Sequence, residues 1–540
     1  MKKSLLACLA VVSASVLGMN VPIPNDQGES SENNRRRTFQ QIDGESEGNR
    51  RVRARVATPN IQNGQRPNVM YNNLLSELNP NLMYNNLLGG LNQNLMYNNI
   101  PGVPSFNGFG VIGSNNFNEM KIRLEKGWDI RYRDLNGDTA LHIASRNGNL
   151  DLVKLISDYS VDSQIFADIN RPNNQGFTPL LYAALGGHLE IVKYLIERGA
   201  DINKTDEEGN TPLIKAASNG HLNVVRYLVE QRHADINKTD EEGNTPLIKA
   251  ASNGHLNVVR YLVEQHHADI NKTDETGNTP LIKAASNGYL NVVRYLVEQH
   301  YADINKTNTN GNTPFIEAAS NGHLSVMEYL LIRGIDVNKP NNRGLTPLIK
   351  AASNGYLNAV GYLLERCHAD INKTDEEGNT SLIFAARNGH LEITEYLIGR
   401  GTDVEKTNKY GETPLIFAVK NGHLKIVEFF IERCGADINK SNNVENTPLI
   451  FAVLGEHLNV AKFLIEHGAD VNKYNIGQIT PLVFAVKTGK EDMVEYLASL
   501  PAIDFSIKSS SYGGLTAMGL ARQKNKNNII QILESAGARE

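Results

Sequence analysis

The sequence predicts an all-α solenoid of about twelve stacked two-helix units, preceded by a long polar segment. Three observations carry this. The stretch NTPLIKAASNGHLNVVRYLVEQ occupies 210–231 and returns at 244–265 and 278–299, where only Tyr289 differs. Aligned on the threonine of each TPL-like box, twelve units begin at Thr139, Thr178, Thr211, Thr245, Thr279, Thr313, Thr346, Thr380, Thr413, Thr447, Thr480 and Thr516. The nine successive intervals from Thr178 to Thr480 are all 33 or 34 residues, and a fixed period of that size marks a repeat array.

Each unit reads as two short helices. Thr211 can cap the free amides of the first, and Pro212 presets its first turn. Leu213, Ile214, Ala216 and Ala217 follow, and the alanines keep this helix slim. Asn219 and Gly220 break the chain, and Leu222, Val224, Val225, Leu228 and Val229 supply the apolar side of a second helix. Gly209 permits the tight hairpin before the unit. So small a unit cannot bury its apolar faces alone, and neighbours must supply the missing core.

The alternation of period has a local source. Units of 33 residues end as in ERGAD at Glu197, whereas units of 34 insert one residue, as in EQRHAD at Glu230 or ERCGAD at Glu432. The extra residue is expected in a turn, where it leaves packing undisturbed. At the edges, FNEMKIRLEKGWDI from Phe117 reads as half a unit, and ARQKNKNNIIQILESAGARE closes the rear with a polar face.

Units such as ADINKTDEEGNTPLIKAASNGHLNVVRYLVEQ resemble the ankyrin repeat, over roughly residues 117–540. Period, TPL box, NGHL turn and ADIN hairpin recur together. The resemblance implies a β-turn followed by two antiparallel helices per unit, stacked in an array, and protein–protein binding through hairpin tips and inner helices. The His of TPLH survives only as His142, and Glu445 and Gln478 replace the hairpin glycine, so those two hairpins are expected to be distorted.

Before the array, residues 1–18, MKKSLLACLAVVSASVLG, join two lysines to an apolar run too short to span a bilayer, and read as a signal peptide. Residues 19–116 are polar and read as a disordered linker with three MYNN repeats. Its arginine clusters alternate with acids, and Ser46 in GESEG lacks the strand and helix a nucleophile elbow needs. Export without disulfides suits a bacterial protein, and Cys367 and Cys434, two repeats apart, are too distant to bridge.

Composition narrows the function. Charged residues are 21% of the chain and the net charge is −5, which argues against nucleic acid as a partner. No segment after the signal could span a membrane, and a monomer is expected. Histidine is shared with Tyr289 and Tyr356 at the NGHL position, and Tyr does not substitute for a zinc ligand, so a structural role is preferred over a metal site. The histidines at the second-helix turns stand where the family carries Gly and are expected at positive φ. NKT or NKS recurs at Asn203, Asn237, Asn271, Asn305, Asn372 and Asn439; it fits the glycosylation sequon, but each lies at a turn where Asn has a structural use, and that reading is preferred. The acids of DEEG at Asp206, Asp240 and Asp375 read as solvated tips. No catalytic motif, metal site or cofactor is expected.

The informative position follows TPLI. It holds Lys215, Lys249, Lys283 and Lys350, then Phe384, Phe417, Phe451 and Phe484. Because lysine is rarely fully buried unpaired, these sites are expected to reach solvent, giving a basic stripe continued by an apolar one that binds a protein partner. The competing expectation is that each Phe folds under a hairpin and packs. The function expected is an exported protein-binding module, an effector on host proteins, with a structural envelope or periplasmic scaffold as the alternative.

Overall fold

The computed structural model describes residues 116–162 and 168–539. The signal peptide, the MYNN linker, the arginine clusters and Ser46 lie outside the described residues. Helices and turns make up the described part, with only two isolated bridges, Thr374 with Thr380 and Ser509 with Leu515, among those residues. None of these helices is long and apolar enough to cross a membrane.

The twelve units appear in register. First helices run from Ala140–Arg146 in unit one through Pro212–Ser218 in unit three and Pro414–Lys420 in unit nine to Ala517–Gln523 in unit twelve. Second helices run from Leu150–Asp162 through Leu256–Glu264 in unit four to Asn527–Ser535. A single helix, Phe117–Glu125, precedes them, capped by the Asn116 side chain and covering the front with buried Met120 and Leu124. At the rear, Arg522, Gln523, Lys524 and Asn525 face solvent.

Capping follows the sequence logic. The Thr211 hydroxyl accepts the Ile214 N–H at 3.2 Å, and Thr245, Thr279, Thr313, Thr346, Thr380, Thr413 and Thr447 repeat the bond. Ala216 and Ala217 are fully buried between neighbouring first helices. Apolar side chains from Met120 to Ala538 form one continuous core along the array, so no unit owns a core of its own.

The NGHL turn stitches units together. Gly220 takes φ +76, and a Cβ there would lie 2.5 Å from the His255 ring of the next unit. That ring donates from Nε2 to the Ser218 carbonyl at 2.9 Å, while Asn253 Nδ2 donates to the same oxygen at 2.7 Å. His221, His323, His390, His423 and His457 bond preceding carbonyls likewise. These histidines are therefore engaged in packing.

Two expectations need correction. Glu445 and Gln478 keep the hairpin, at φ 60 and 51, and their N–H groups close the turn onto Asn442 and Asn475 carbonyls at 2.8 Å. Five glycine-like positions at the ends of second helices, His233, His267, Tyr301, His368 and Gly435, also take positive φ, between 51 and 64. The inserted residue, in turn, is absorbed by the helix end. In a 33-residue unit the Ala200 N–H bonds the Leu195 carbonyl, five residues back, whereas Ala234 reaches Leu228, six back. In units three and nine the added residue widens the last turn into π-helix, Tyr227–Gln231 and Phe429–Arg433. Helix packing survives because Leu228 and Phe430 stay fully buried.

Candidate functional site

The residue after TPLI is paired with the hairpin residue nine positions earlier. Lys215 Nζ lies 2.7 Å from Asp206 Oδ2, Lys249 2.9 Å from Asp240, and Lys283 3.0 Å from Asp274. The DEEG motif suggested solvated tips at Asp206, Asp240 and Asp375; Asp206 and Asp240 are instead buried, and half-buried Asp375 accepts the Glu377 and Asn379 N–H groups. Asp206 is buried and its Oδ1 accepts the N–H groups of Glu208 and Asn210, which shapes the turn. Only the glutamates that follow it are exposed. For Asp274, burial pushes the carboxyl up, but hydrogen bonds from Asn278, Lys283 and Thr276 outweigh it and hold the pKa below the ordinary value.

The basic stripe is therefore neutralised at three of its four positions. Lys215 is buried and also lies 4.8 Å from the Phe177 ring centroid. Lys350 is half-buried and has Asn341 at the matching hairpin position, with no carboxylate in ion-pair range among the described residues. In unit six the pair becomes Asn308 with Glu317, joined at 3.2 Å.

The apolar stripe is likewise less open than expected. Phe384 is half-buried, but Phe417, Phe451 and Phe484 are only 7–8% exposed. Cations from the same and the preceding unit gather over these rings. Lys420 Nζ lies 5.3 Å from the Phe417 ring centroid and 5.0 Å from that of Phe451, Arg387 stands 6.0 Å from Phe417, and Lys487 Nζ is 5.8 Å from Phe484. An i, i+3 pairing of Phe with Lys was the sequence signal for this at Phe417 and Phe484 but not at Phe451, where Leu454 follows and the cation comes from the preceding unit.

What remains open is a groove of about 560 Å³ between first helices and hairpins of units eight to ten. Its floor is Phe417, its rim carries Arg387, Lys420, Glu377 and Glu412, and its edges are Tyr410 and Val444, 56% and 41% exposed. Earlier hairpins place Glu207, Glu208, Glu241 and Glu242 at the positions that match Lys409, Tyr410, Asn443 and Val444. These tips thus differ from the acidic ones of units three and four, as do Leu135 and Ile476 at the hairpins of units one and eleven, 86% and 65% exposed.

A polar gap accompanies the groove. Along the hairpins, an asparagine amide usually bridges to the preceding unit: Asn341 to Asn312 at 2.8 Å, Asn408 to Asn379 at 3.0 Å, and Asn475 to Asn446 at 2.9 Å. At Asn442 the corresponding residue is Glu412, whose Oε1 is engaged by Lys420 at 2.9 Å. The Asn442 amide N–H groups have no partner among the described residues and line the groove. Arg387 is held by the Phe417 ring at 6.0 Å and by no carboxylate among the same residues.

Family models for ankyrin repeats match residues 111–206, 203–274, 266–341, 334–408, 382–475 and 456–498. The chain belongs to the ankyrin-repeat family. Among curated relatives, the ankyrin array is 45% identical over 62 residues to Notch-regulated ankyrin repeat-containing protein A of Danio rerio, which is 12% of this chain and 50% of that one. It is 39% identical over 85 residues to human palmitoyltransferase ZDHHC13, 16% of this chain and 13% of that one. It is 34% identical over 90 residues to alpha-latrocrustotoxin-Lt1a of Latrodectus tredecimguttatus, 17% and 6% respectively. The matched parts span half or less of these relatives. Ankyrin repeats generally act as interaction modules rather than catalysts, and the array here is one by family.

Proposed function

We propose that this ankyrin array binds an extended segment of a partner protein in the groove of units eight to ten. The observation that carries this is the coincidence, in one concave surface, of exposed Tyr410 and Val444 with the Asn442 amide N–H groups, which no described residue engages, and the Arg387 guanidinium. An apolar side chain of the partner packs between Tyr410, Val444 and Phe417. A backbone carbonyl or carboxylate accepts from Asn442 and Arg387, which gives register. Lys350, the unpaired cation of the stripe, extends the same face toward unit seven.

We further propose that the protein acts outside the compartment of its synthesis, as an exported module whose partner belongs to a host. The two lysines and apolar run of residues 1–18 support the export reading. A structural envelope or periplasmic scaffold is the second reading, favoured by the near-identity of units three to five, which suits a spacer better than one tuned ligand.

Peptide selection against the full chain tests the groove. Selected peptides should lose at least about tenfold in affinity on Arg387→Ala or Tyr410→Ser, the loss of about 1.4 kcal/mol, and be unaffected by Lys249→Ala. Equal binding by all three variants removes the groove from the proposal. Cell fractionation separates export to the medium or a host from retention in the envelope.

A further inference from the structure

The five-residue sequence Asp-Ile-Asn-Lys-Thr begins at Asp201, Asp235, Asp269, Asp303 and Asp370, and Asp437 opens the variant ending in Ser441. In all six copies the aspartate Oδ1 accepts the asparagine N–H, at 2.8–2.9 Å, and fixes the same turn. The asparagine side chains then diverge. Asn439 donates to the Gly468 carbonyl at 3.3 Å and accepts the Asp470 N–H at 2.9 Å. Asn170, Asn338 and Asn472, at the same repeat position without a sequon, also accept the next unit's aspartate N–H. These four are half-buried.

Asn203, Asn237, Asn271, Asn305 and Asn372 are exposed, and no described residue hydrogen-bonds their side-chain amides. The structural use that explains asparagine at this position is absent where threonine completes the sequon. We propose that these five asparagines are N-glycosylation acceptors, and that Asn439 is not. The substrate class is a glycan carried on a polyisoprenyl diphosphate. The asparagine amide nitrogen forms a bond to the anomeric carbon, the bond from that carbon to the diphosphate oxygen breaks, the polyisoprenyl diphosphate leaves, and the amide proton passes to a base of the transferase. The hairpin entering unit nine carries Glu405 at this position, so the groove lies beside no acceptor on that hairpin.

Occupancy in the cell rests on the export reading above, because the donor lies across a membrane from the site of synthesis. The test separates the two. The folded full chain is incubated with a purified oligosaccharyltransferase and its lipid-linked glycan, and glycopeptides are quantified by mass spectrometry. All five Asn-Lys-Thr sites should be glycosylated, with Asn439 modified about tenfold more slowly, the factor that about 1.4 kcal/mol of local hydrogen bonding represents. In heat-denatured chain Asn439 should rise to match the others, and Thr205→Ala should abolish only Asn203. Absence of glycan on the five in folded chain, or equal modification of Asn439, overturns the assignment. Translation into membrane vesicles with a protease-protection readout tests export alone; failure there removes the cellular setting and leaves the acceptor result standing.

Discussion

Lys215 Nζ lies 2.7 Å from Asp206 Oδ2, with the lysine side chain 11% exposed and the aspartate 3%. At the same spacing of nine residues, later units carry Asn408 with Phe417, Asn442 with Phe451 and Asn475 with Phe484. In these three units the charge at the position after TPLI and the hairpin carboxylate are absent together.

Asp206→Asn alone should destabilise the array by about 3 kcal/mol, because it keeps the turn acceptor but leaves the ammonium with only the exposed Glu208 carboxylate at 3.9 Å. Adding Lys215→Phe converts the pair to the one native at Asn408 and Phe417 and should recover most of the loss. Urea denaturation of both single variants and the double measures this coupling. Additive losses would mean that the pair is not a unit.

Hairpin glycines and their substitutes give opposite signs. Glu445→Gly and Gln478→Gly should each stabilise by about 1 kcal/mol, since φ 60 and 51 are unfavourable for residues with a Cβ. Gly220→Ala should cost about 2 kcal/mol or more, because its Cβ meets the His255 ring and φ is +76. Thermal melts of the three variants decide it.

His142 gives the array an acid-sensitive front. Burial pushes its pKa down to about 4, against opposing hydrogen bonds to the Phe177 and Arg171 backbone. Its Nε2 donates to the Phe177 carbonyl at 3.0 Å and its Nδ1 accepts the Thr139 N–H at 3.1 Å beside the Thr139 hydroxyl at 2.7 Å, so protonation of Nδ1 sets it against the Thr139 N–H. Burial also lowers His221, His255 and His323. The unfolded chain takes up protons from about pH 6.5 while the folded chain resists. Stability is therefore complete above that pH and falls as pH drops toward 4, with His142 accounting for about 3 kcal/mol. His142→Ile, the residue found at this position in unit three, should flatten the profile by that amount in urea titrations at pH 7 and pH 4.5.

Removing the inserted residue of unit three should be nearly silent. Deleting Gln231 together with His233→Gly recreates the ERGAD ending, and the alanine N–H would then close five residues back, as Ala200 does. The urea midpoint should shift by no more than about 1 kcal/mol in equivalent stability, because Leu228 keeps its place in the core.

By itself the sequence determined the repeat, its register, the threonine caps, the two helices and the apolar faces. These follow from local spacing: a cap reaches three residues, a helix face recurs every three or four, and a unit without a core must borrow one. It also located the position after TPLI as the place where units differ. What only tertiary structure decided is how those side chains end. Whether Lys215 is a surface charge or half of a buried pair depends on Asp206 folding back over it, and which cations stand over Phe417 depends on how units eight and nine stack. The use of Asn439 and the idleness of Asn203 depend on where the next unit's backbone falls. Contacts across a hairpin or between units arise from stacking, and identical letters in neighbouring units carry no record of which partner each one meets.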